Sequence, residues 1–246
     1  MKVEQQNNEI PSHVVLFPDG NRRWARGREL SVFEGYREGR KNFQRFLLHC
    51  KKRGIKIVTV FGFSTENWQR PKEEVEFLMV FLEESLSGKE EFAFFQQEGI
   101  RVNVIGQKER FPVSLQEAIA NVERLTKQNT ELFLNLAASY GGRWDIVQAV
   151  QQIVSLREMS RRDTKEGIIP EKITEELIGS YLTTAGLPEP DLVIRAGGEK
   201  RFSNFLLWQS AYAELYFSDK YWPDFGEQDF DEALAEYARR QRRFGQ

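Results

Sequence analysis

Scarcities bound this sequence before any motif does. One cysteine, Cys50, stands among 246 residues, which excludes a disulfide framework and a thiolate metal cluster and points to a reducing compartment. The two histidines are His13, just ahead of a strand-like run, and His49, inside a helical one. They offer neither a Ser-His-Asp order nor His/Cys metal spacing, and both read as structural. No apolar run approaches the roughly 20 residues of a membrane span. The opening, MKVEQQNNEIPSH, lacks the apolar core of a signal peptide. The expectation is a cytoplasmic protein with at most peripheral membrane contact. A charge surplus is missing too: 35 Lys and Arg against 37 Asp and Glu leave −2, where a general nucleic-acid binder would carry a basic excess. Neither GxxxxGK[ST] nor GxGxxG occurs, so a P-loop or dinucleotide fold has no sequence support.

What is present suits an ordinary globular chain, 40% hydrophobic and 29% charged, long enough to bury one sizeable core. The expected organisation is a polar tail over 1–12 and a single domain over 13–246. Short apolar runs at 13–18, 55–63, 101–106, 132–138, 191–196 and 214–218 alternate with helical periodicity. Most are near-continuously apolar, as strands covered on both faces should be. The fold class is therefore α/β, a six-stranded, mainly parallel sheet flanked by helices. In 36–52, Phe43, Phe46, Leu47 and Cys50 keep the i, i+3, i+4, i+7 rule, with Gly54 just past the end. One helix is expected over 71–96, opening on Pro71 and lined by Val75, Leu78, Met79, Leu82 and Leu86. Ser114 and Glu117 have capping-box spacing ahead of Ile119, Val122 and Leu125. Further helices are expected from about 143 and over 229–243. The stretch 155–190, with Gly167, Pro170, Gly186, Pro188 and Pro190, reads as a surface excursion carrying one helix.

Open parallel sheets bind ligands outside the carboxyl ends of their strands, and here those ends are polar. The first leads into Asp19-Gly20-Asn21-Arg22-Arg23, the second into Ser64-Thr65-Glu66-Asn67-Trp68-Gln69-Arg70, and the fifth into Arg195-Ala196-Gly197-Gly198-Glu199 with Arg201 and Ser203 beyond. Taken singly these are ordinary: Asp-Gly-Asn is a turn, Gly-Gly is a turn, and Trp68 and Trp208 are core aromatics. Together at one rim they mean more. Arginine forks grip phosphate, glycines let backbone N–H groups approach it, and carboxylates beside such oxygens suit Mg²⁺. The expected ligand is a diphosphate, or more than one.

The runs HVVLFPDGNRRWAR, FGFSTENWQRPKEEVEFLM, LNLAASYGGRWDIV and DLVIRAGGEKRFSNFLLWQSAYAELYFSDKYWPDF resemble the cis-prenyltransferases, or Z-isoprenyl diphosphate synthases, of the undecaprenyl diphosphate synthase type. The likeness runs from about residue 12 to Gly245. It implies a parallel six-stranded sheet around a hydrophobic tunnel, usually in a homodimer. The implied reaction is Mg²⁺-dependent sequential condensation of isopentenyl diphosphate onto an allylic diphosphate, farnesyl diphosphate foremost, with Z double bonds. The resemblance makes Asp19 the metal-holding acid, with Glu214 a second one supplied across a dimer interface. It makes Gly20, Asn21, Arg22, Arg23, Trp24, Arg28 and Tyr36 the allylic diphosphate site, and Arg195, Arg201, Ser203 and Gly245 the isopentenyl diphosphate site. Ser64, Glu66, Asn67, Trp68 and Arg70 match the family's closing loop, with Asn21 near the reacting carbons and Asn67 counted with Asp19 and Asn21 as catalytic. Asp19, Asn21 or a diphosphate oxygen would accept the proton that is lost. Phe77, Leu78, Phe81 and Leu82 would line the tunnel. Three positions depart from the common pattern: Arg22 replaces a glycine, Tyr36 stands where a histidine is usual, and Val32 where an arginine is. These touch primer choice and product length more than reaction class. A non-catalytic partner subunit on this fold would have lost the Asp-Gly-Asn acid and the arginines, which are all present.

Overall fold

The structure, a computed structural model, describes residues 10–162 and 172–240. Most of the polar tail, Gly167, Pro170, the end of the expected 229–243 helix and Gly245 lie outside the described residues. Six strands form one sheet: β1 (His13–Phe17), β2 (Ile57–Ser64), β3 (Ile100–Ile105), β4 (Leu132–Tyr140), β5 (Leu192–Arg195) and β6 (Glu214–Phe217). Their order is β3-β4-β2-β1-β5-β6. Every pairing is parallel, so the expectation of a mainly parallel sheet becomes an all-parallel one. β1 sits at the centre, with Val14 opposite both Val58 and Leu192, and all five of its residues are buried. Val14 and Leu16 feed the core on one face of the sheet, while Val15 and Phe17 feed the other. That alternation is the period of two a strand imposes.

The helices are α1 (Asn21–Arg26), α2 (Val32–Lys52), α3 (Lys72–Ser87), α4 (Lys89–Gln97), α5 (Val113–Leu125), α6 (Gly142–Arg162), α7 (Glu175–Tyr181) and α8 (Glu227–Arg239). Besides α1, for which no helix was expected, three differ from the sequence reading. α2 begins four positions ahead of the expected residue 36 (32 against 36). Its cap is Ser31, whose Oγ accepts from the Glu34 backbone N–H at 3.2 Å while Glu34 accepts from the Ser31 N–H at 2.8 Å. This capping box settles both ends of the first turn. The expected 71–96 helix is two helices, because the chain turns extended at Gly88 (ψ 141°), a residue with little helix propensity. The third difference is α5, which starts at Val113 behind Pro112. Ser114 therefore caps nothing and donates to Glu83 Oε2 at 2.7 Å.

One buried turn ties these layers to the rim. Trp222, 1% exposed, packs edge-on to Phe46 of α2 with ring centroids 5.6 Å apart. Its indole N–H donates to the Gly39 carbonyl at 2.8 Å, and its backbone N–H donates to the Asp19 carbonyl at 2.9 Å. Asn42 of α2, buried, donates to the carbonyls of Trp222 at 2.7 Å and Phe225 at 2.8 Å. Asn42→Ala leaves the Phe225 carbonyl without a donor and the Trp222 carbonyl with only the Phe225 N–H at 3.1 Å, and is expected to cost about 2 kcal/mol. A urea unfolding midpoint would read this as a drop at unchanged slope; an unchanged midpoint would show the turn is held by packing alone.

Candidate active site

The chain runs from β1 to β2 on one side and, after β4, crosses to β5 on the other, so β1 and β5 flank the point where strand order reverses. Crevices form at such points beyond the carboxyl ends of the strands. Asp19 follows β1, Arg195 ends β5, and the two meet there, Arg195 Nη2 donating to Asp19 Oδ2 at 2.9 Å. The Arg195 side chain is 5% exposed, its guanidinium lies 4.9 Å from the Phe17 ring centroid, and its Nη1 donates to Ser203 Oγ at 2.8 Å and to the Arg201 carbonyl. Its Nε is buried without a partner in the structure. Ser203 has φ 45° and Asn204 φ 62°, left-handed backbone that costs energy in non-glycine residues and gathers at functional sites.

Asp19 Oδ1 accepts the Gly20 N–H at 2.6 Å, and Arg23 Nη2 stands 3.5 Å away. Gly20 has φ 97°, and a Cβ there would fall 2.6 Å from the Tyr221 ring, so both conformation and space require glycine. Asn21 opens α1; its Nδ2 donates to the Pro18 carbonyl at 2.8 Å while its Oδ1 is buried without a partner. Across the mouth, Glu74 Oε1 holds two arginines at once, Arg22 at 3.0 Å and Arg70 at 2.8 Å. Arg70 also donates to the Tyr36 hydroxyl at 3.0 Å. Burial pushes the Tyr36 phenol up against the opposing pull of Arg70, so the hydroxyl stays protonated at neutral pH. Asn67 Oδ1 accepts the Ser64 N–H at 3.1 Å, and Glu66 accepts from Asn204 at 2.9 Å. Burial raises the Glu66 carboxyl, but the bond from Asn204 and those from its own loop outweigh it and hold the group below its ordinary value.

From this mouth a cavity of about 1070 Å³ runs inward, at the upper end of what small-molecule sites enclose. Asp19, Gly20, Asn21, Arg22, Arg23, Arg195, Arg201 and Ser203 line its polar end together with Tyr36, Ser64, Glu66, Asn67 and Arg70. Leu47, Val60, Phe63, Leu78, Phe81, Leu82 and Leu134 line its apolar depth. Across residues 17–245 the chain matches the family model described as "Putative undecaprenyl diphosphate synthase". The chain belongs to this prenyltransferase family. Among relatives, a ditrans,polycis-undecaprenyl-diphosphate synthase, (2E,6E)-farnesyl-diphosphate specific, from Pseudomonas putida is 45% identical over 97% of this chain and 92% of its own length. An isoprenyl transferase from Neisseria meningitidis is 43% identical over 98% and 91%. The solved lavandulyl diphosphate synthase from Lavandula x intermedia, in complex with dimethylallyl diphosphate, superimposes with a TM-score of 0.89 at 39% identity, covering 97% of this chain and 99% of that one.

Not every residue that the prenyltransferase resemblance singled out reaches the cavity wall. Trp24 donates its indole N–H to Asp224 at 2.8 Å, and Arg28 pairs with the same carboxylate at 3.0 Å while stacking over Trp24. Trp24 on α1 and Arg28 just past its end both stand off the cavity lining. Trp68 packs on Phe63 and donates to Ser139 Oγ at 2.9 Å, the core role its type favours. Phe77 stacks on Phe33 with centroids 4.1 Å apart, just off the wall. Glu214 lies on the edge strand β6, bound by Arg240 at 3.0 Å. Both histidines are buried: His13 bonds Thr59 and Pro188, and His49 faces Asp231 and Glu227. The sequence reading missed Arg40, Arg143 and Trp222, which line the cavity, and Glu74, which positions Arg22 and Arg70. For Arg40 a signal existed, since it stands three residues before Phe43 on the stripe that faces inward.

Proposed function

We propose that this enzyme adds isopentenyl diphosphate units one after another to an allylic diphosphate, farnesyl diphosphate foremost, forming Z double bonds and releasing a polyprenyl diphosphate of the undecaprenyl class. The observation that carries this reading is the continuity of a guanidinium-rich mouth with a long apolar cavity. A phosphate-binding site alone needs the first and has no use for the second. The farnesyl-diphosphate specificity of the Pseudomonas relative supports the primer.

In this reading Gly20, Asn21, Arg22 and Arg23 cradle the allylic diphosphate, and Arg195, Arg201 and Ser203 grip the isopentenyl diphosphate. Departure of the allylic diphosphate loads negative charge onto its oxygens, and preset guanidinium and N–H donors stabilise that charge without reorganising. Held side by side, the two substrates react as one molecule would: the isopentenyl double bond attacks the cation-like allylic carbon, and the resulting cation loses a proton to Asp19, Asn21 or a diphosphate oxygen to leave the new double bond. The lengthening hydrocarbon moves inward, where burial contributes about 0.8 kcal/mol per CH₂.

The donor set fits Mg²⁺. Among the described residues no cluster of three or more His, Cys, Asp or Glu could cage a metal. Asp19 is a single, half-exposed carboxylate at a cationic mouth, which suits an ion that takes one protein carboxylate and completes its shell with substrate phosphate and water. Bound there, Mg²⁺ would neutralise diphosphate charge. Glu214, on an edge strand away from this wall, would serve a site only in a second copy of the chain, and a homodimer is part of the proposal. No helix among the described residues is long and apolar enough to cross a membrane, so any membrane contact would come through the lipid product.

Purified protein with Mg²⁺, farnesyl diphosphate and labelled isopentenyl diphosphate is expected to give long polyprenyl diphosphates on chromatographic sizing, and a chelator is expected to stop it. No turnover with any primer from dimethylallyl to geranylgeranyl diphosphate would reject the reading. A short product would move the assignment to a short-chain Z-prenyl diphosphate synthase.

A further inference from the structure

We propose that the ion pair between Arg40 and Glu91 sets how far the growing chain advances along the cavity, and so where elongation stops. The inference rests on the prenyl-elongation reading above. Along α2, Tyr36, Arg40, Phe43 and Leu47 face the cavity at helical spacing, and at about 1.5 Å rise per residue that wall is about 16 Å long. Arg40 interrupts it partway. Its Nη1 lies 3.3 Å from Glu91 Oε1 of α4, with side chains 27% and 14% exposed, and its guanidinium sits 5.4 Å from the centroid of Phe81. Gln44 and Ser85 line the cavity beside the pair. A polar band thus crosses a wall that is otherwise made by Val60, Leu78, Leu82 and Leu134.

The break between α3 and α4 brings Glu91 here. Its Oε2 packs against Gly88, where a Cβ would stand only 2.2 Å from it and 2.7 Å from the Glu84 carbonyl. As a stabilising device the pair is a poor choice, since two apolar side chains of similar volume generally hold helices together as well as a half-buried ion pair or better. Its effect on a hydrocarbon is more definite. A chain crossing the apolar wall gains burial at each step. A chain crossing the band gains none, and must strip water from two charges whose mutual attraction only partly compensates for it. Advance is favourable up to the pair and unfavourable across it.

The test is product sizing with farnesyl diphosphate as primer, wild type run alongside. Arg40→Met with Glu91→Met keeps side-chain length and removes both charges. Its products are expected to extend by one or more isoprene units, the ratio of product one unit longer than the main wild-type product to that main product rising at least about fourfold, as the gain from a single additional buried methylene implies. Should that variant fail to fold, Arg40→Gln with Glu91→Gln, which also removes both charges but keeps groups able to hydrogen-bond each other, is read the same way with a smaller shift. A merely structural pair would change thermal stability and leave the product distribution where it was. Wild-type elongation with an unshifted distribution in the variant overturns this inference alone, whereas wild type that elongates nothing overturns the function reading and this inference with it.

Discussion

Asp19→Ala is expected to lower kcat at least about a thousandfold, at the top of the range seen when a single preset charge-stabilising group is removed. Three separate roles meet in this one carboxylate. It accepts from the buried Arg195 at 2.9 Å, it closes its own loop through the Gly20 N–H at 2.6 Å, and it stands 3.5 Å from Arg23. Removing it frees two arginines to shift and takes away the carboxylate that, in the proposed reading, would hold Mg²⁺ against diphosphate. Asp19→Asn separates these roles. The amide oxygen still accepts from Arg195 or Gly20, so the loop and the far-ultraviolet circular dichroism are preserved, while the charge is gone. Its turnover is expected to fall by at least about a hundredfold, with apparent Mg²⁺ affinity weakened as well. Labelled isopentenyl diphosphate incorporation over a Mg²⁺ titration measures both. An alanine variant within tenfold of wild type would mean that the diphosphate is held and activated elsewhere.

The elements that made this site readable in advance are those whose chemistry is local. β1, β2 and β5 are apolar runs that stop at polar residues, and an all-parallel sheet puts those stops on one edge. Asp19 and Arg195 could therefore be brought together from strand ends alone, although they are far apart in the chain. α1 was not foreseen because three of its six residues are arginines and it has no apolar stripe, and what holds it is Ala25 buried beneath it together with Trp222 across the loop. Glu74 was unreadable for a related reason. An acid in the first turn of a helix normally faces water and favours the helix dipole, whereas this one has a side chain only 13% exposed between two arginines from other segments. The ion pair of Arg40 with Glu91 depends on a bend at Gly88 that helical periodicity through Leu86 and Phe95 passes over. Ser31 and Glu34, by contrast, carried a legible capping signal, and a boundary set on apolar spacing alone began the helix late.

Arg195→Ala should be nearly as damaging, and the way its effect divides between the substrates is diagnostic. The guanidinium makes three contacts in one plane: Asp19, Ser203 and the Arg201 carbonyl. It still has a buried Nε–H without a partner. Such a fork is both a ligand donor and the clamp on the strained turn that aims Ser203. Alanine is expected to cut kcat/KM for isopentenyl diphosphate about a thousandfold, because a fixed charge-assisted donor and its alignment are lost together. Lysine restores the charge but not the fork, since one ammonium cannot reach the three acceptors at once, and is expected to recover only about tenfold of that loss. Ser203→Ala, which removes one charge-assisted hydrogen bond from the clamp to a neutral acceptor, should cost at least about tenfold. In the proposed assignment the primer is held from the α1 side by Arg22 and Arg23, so its KM is expected to move far less than that of isopentenyl diphosphate. Steady-state kinetics with each substrate varied in turn would read the split. Equal losses on both would mean that Arg195 shapes the whole mouth through Asp19, and that the two diphosphates do not have separate seats.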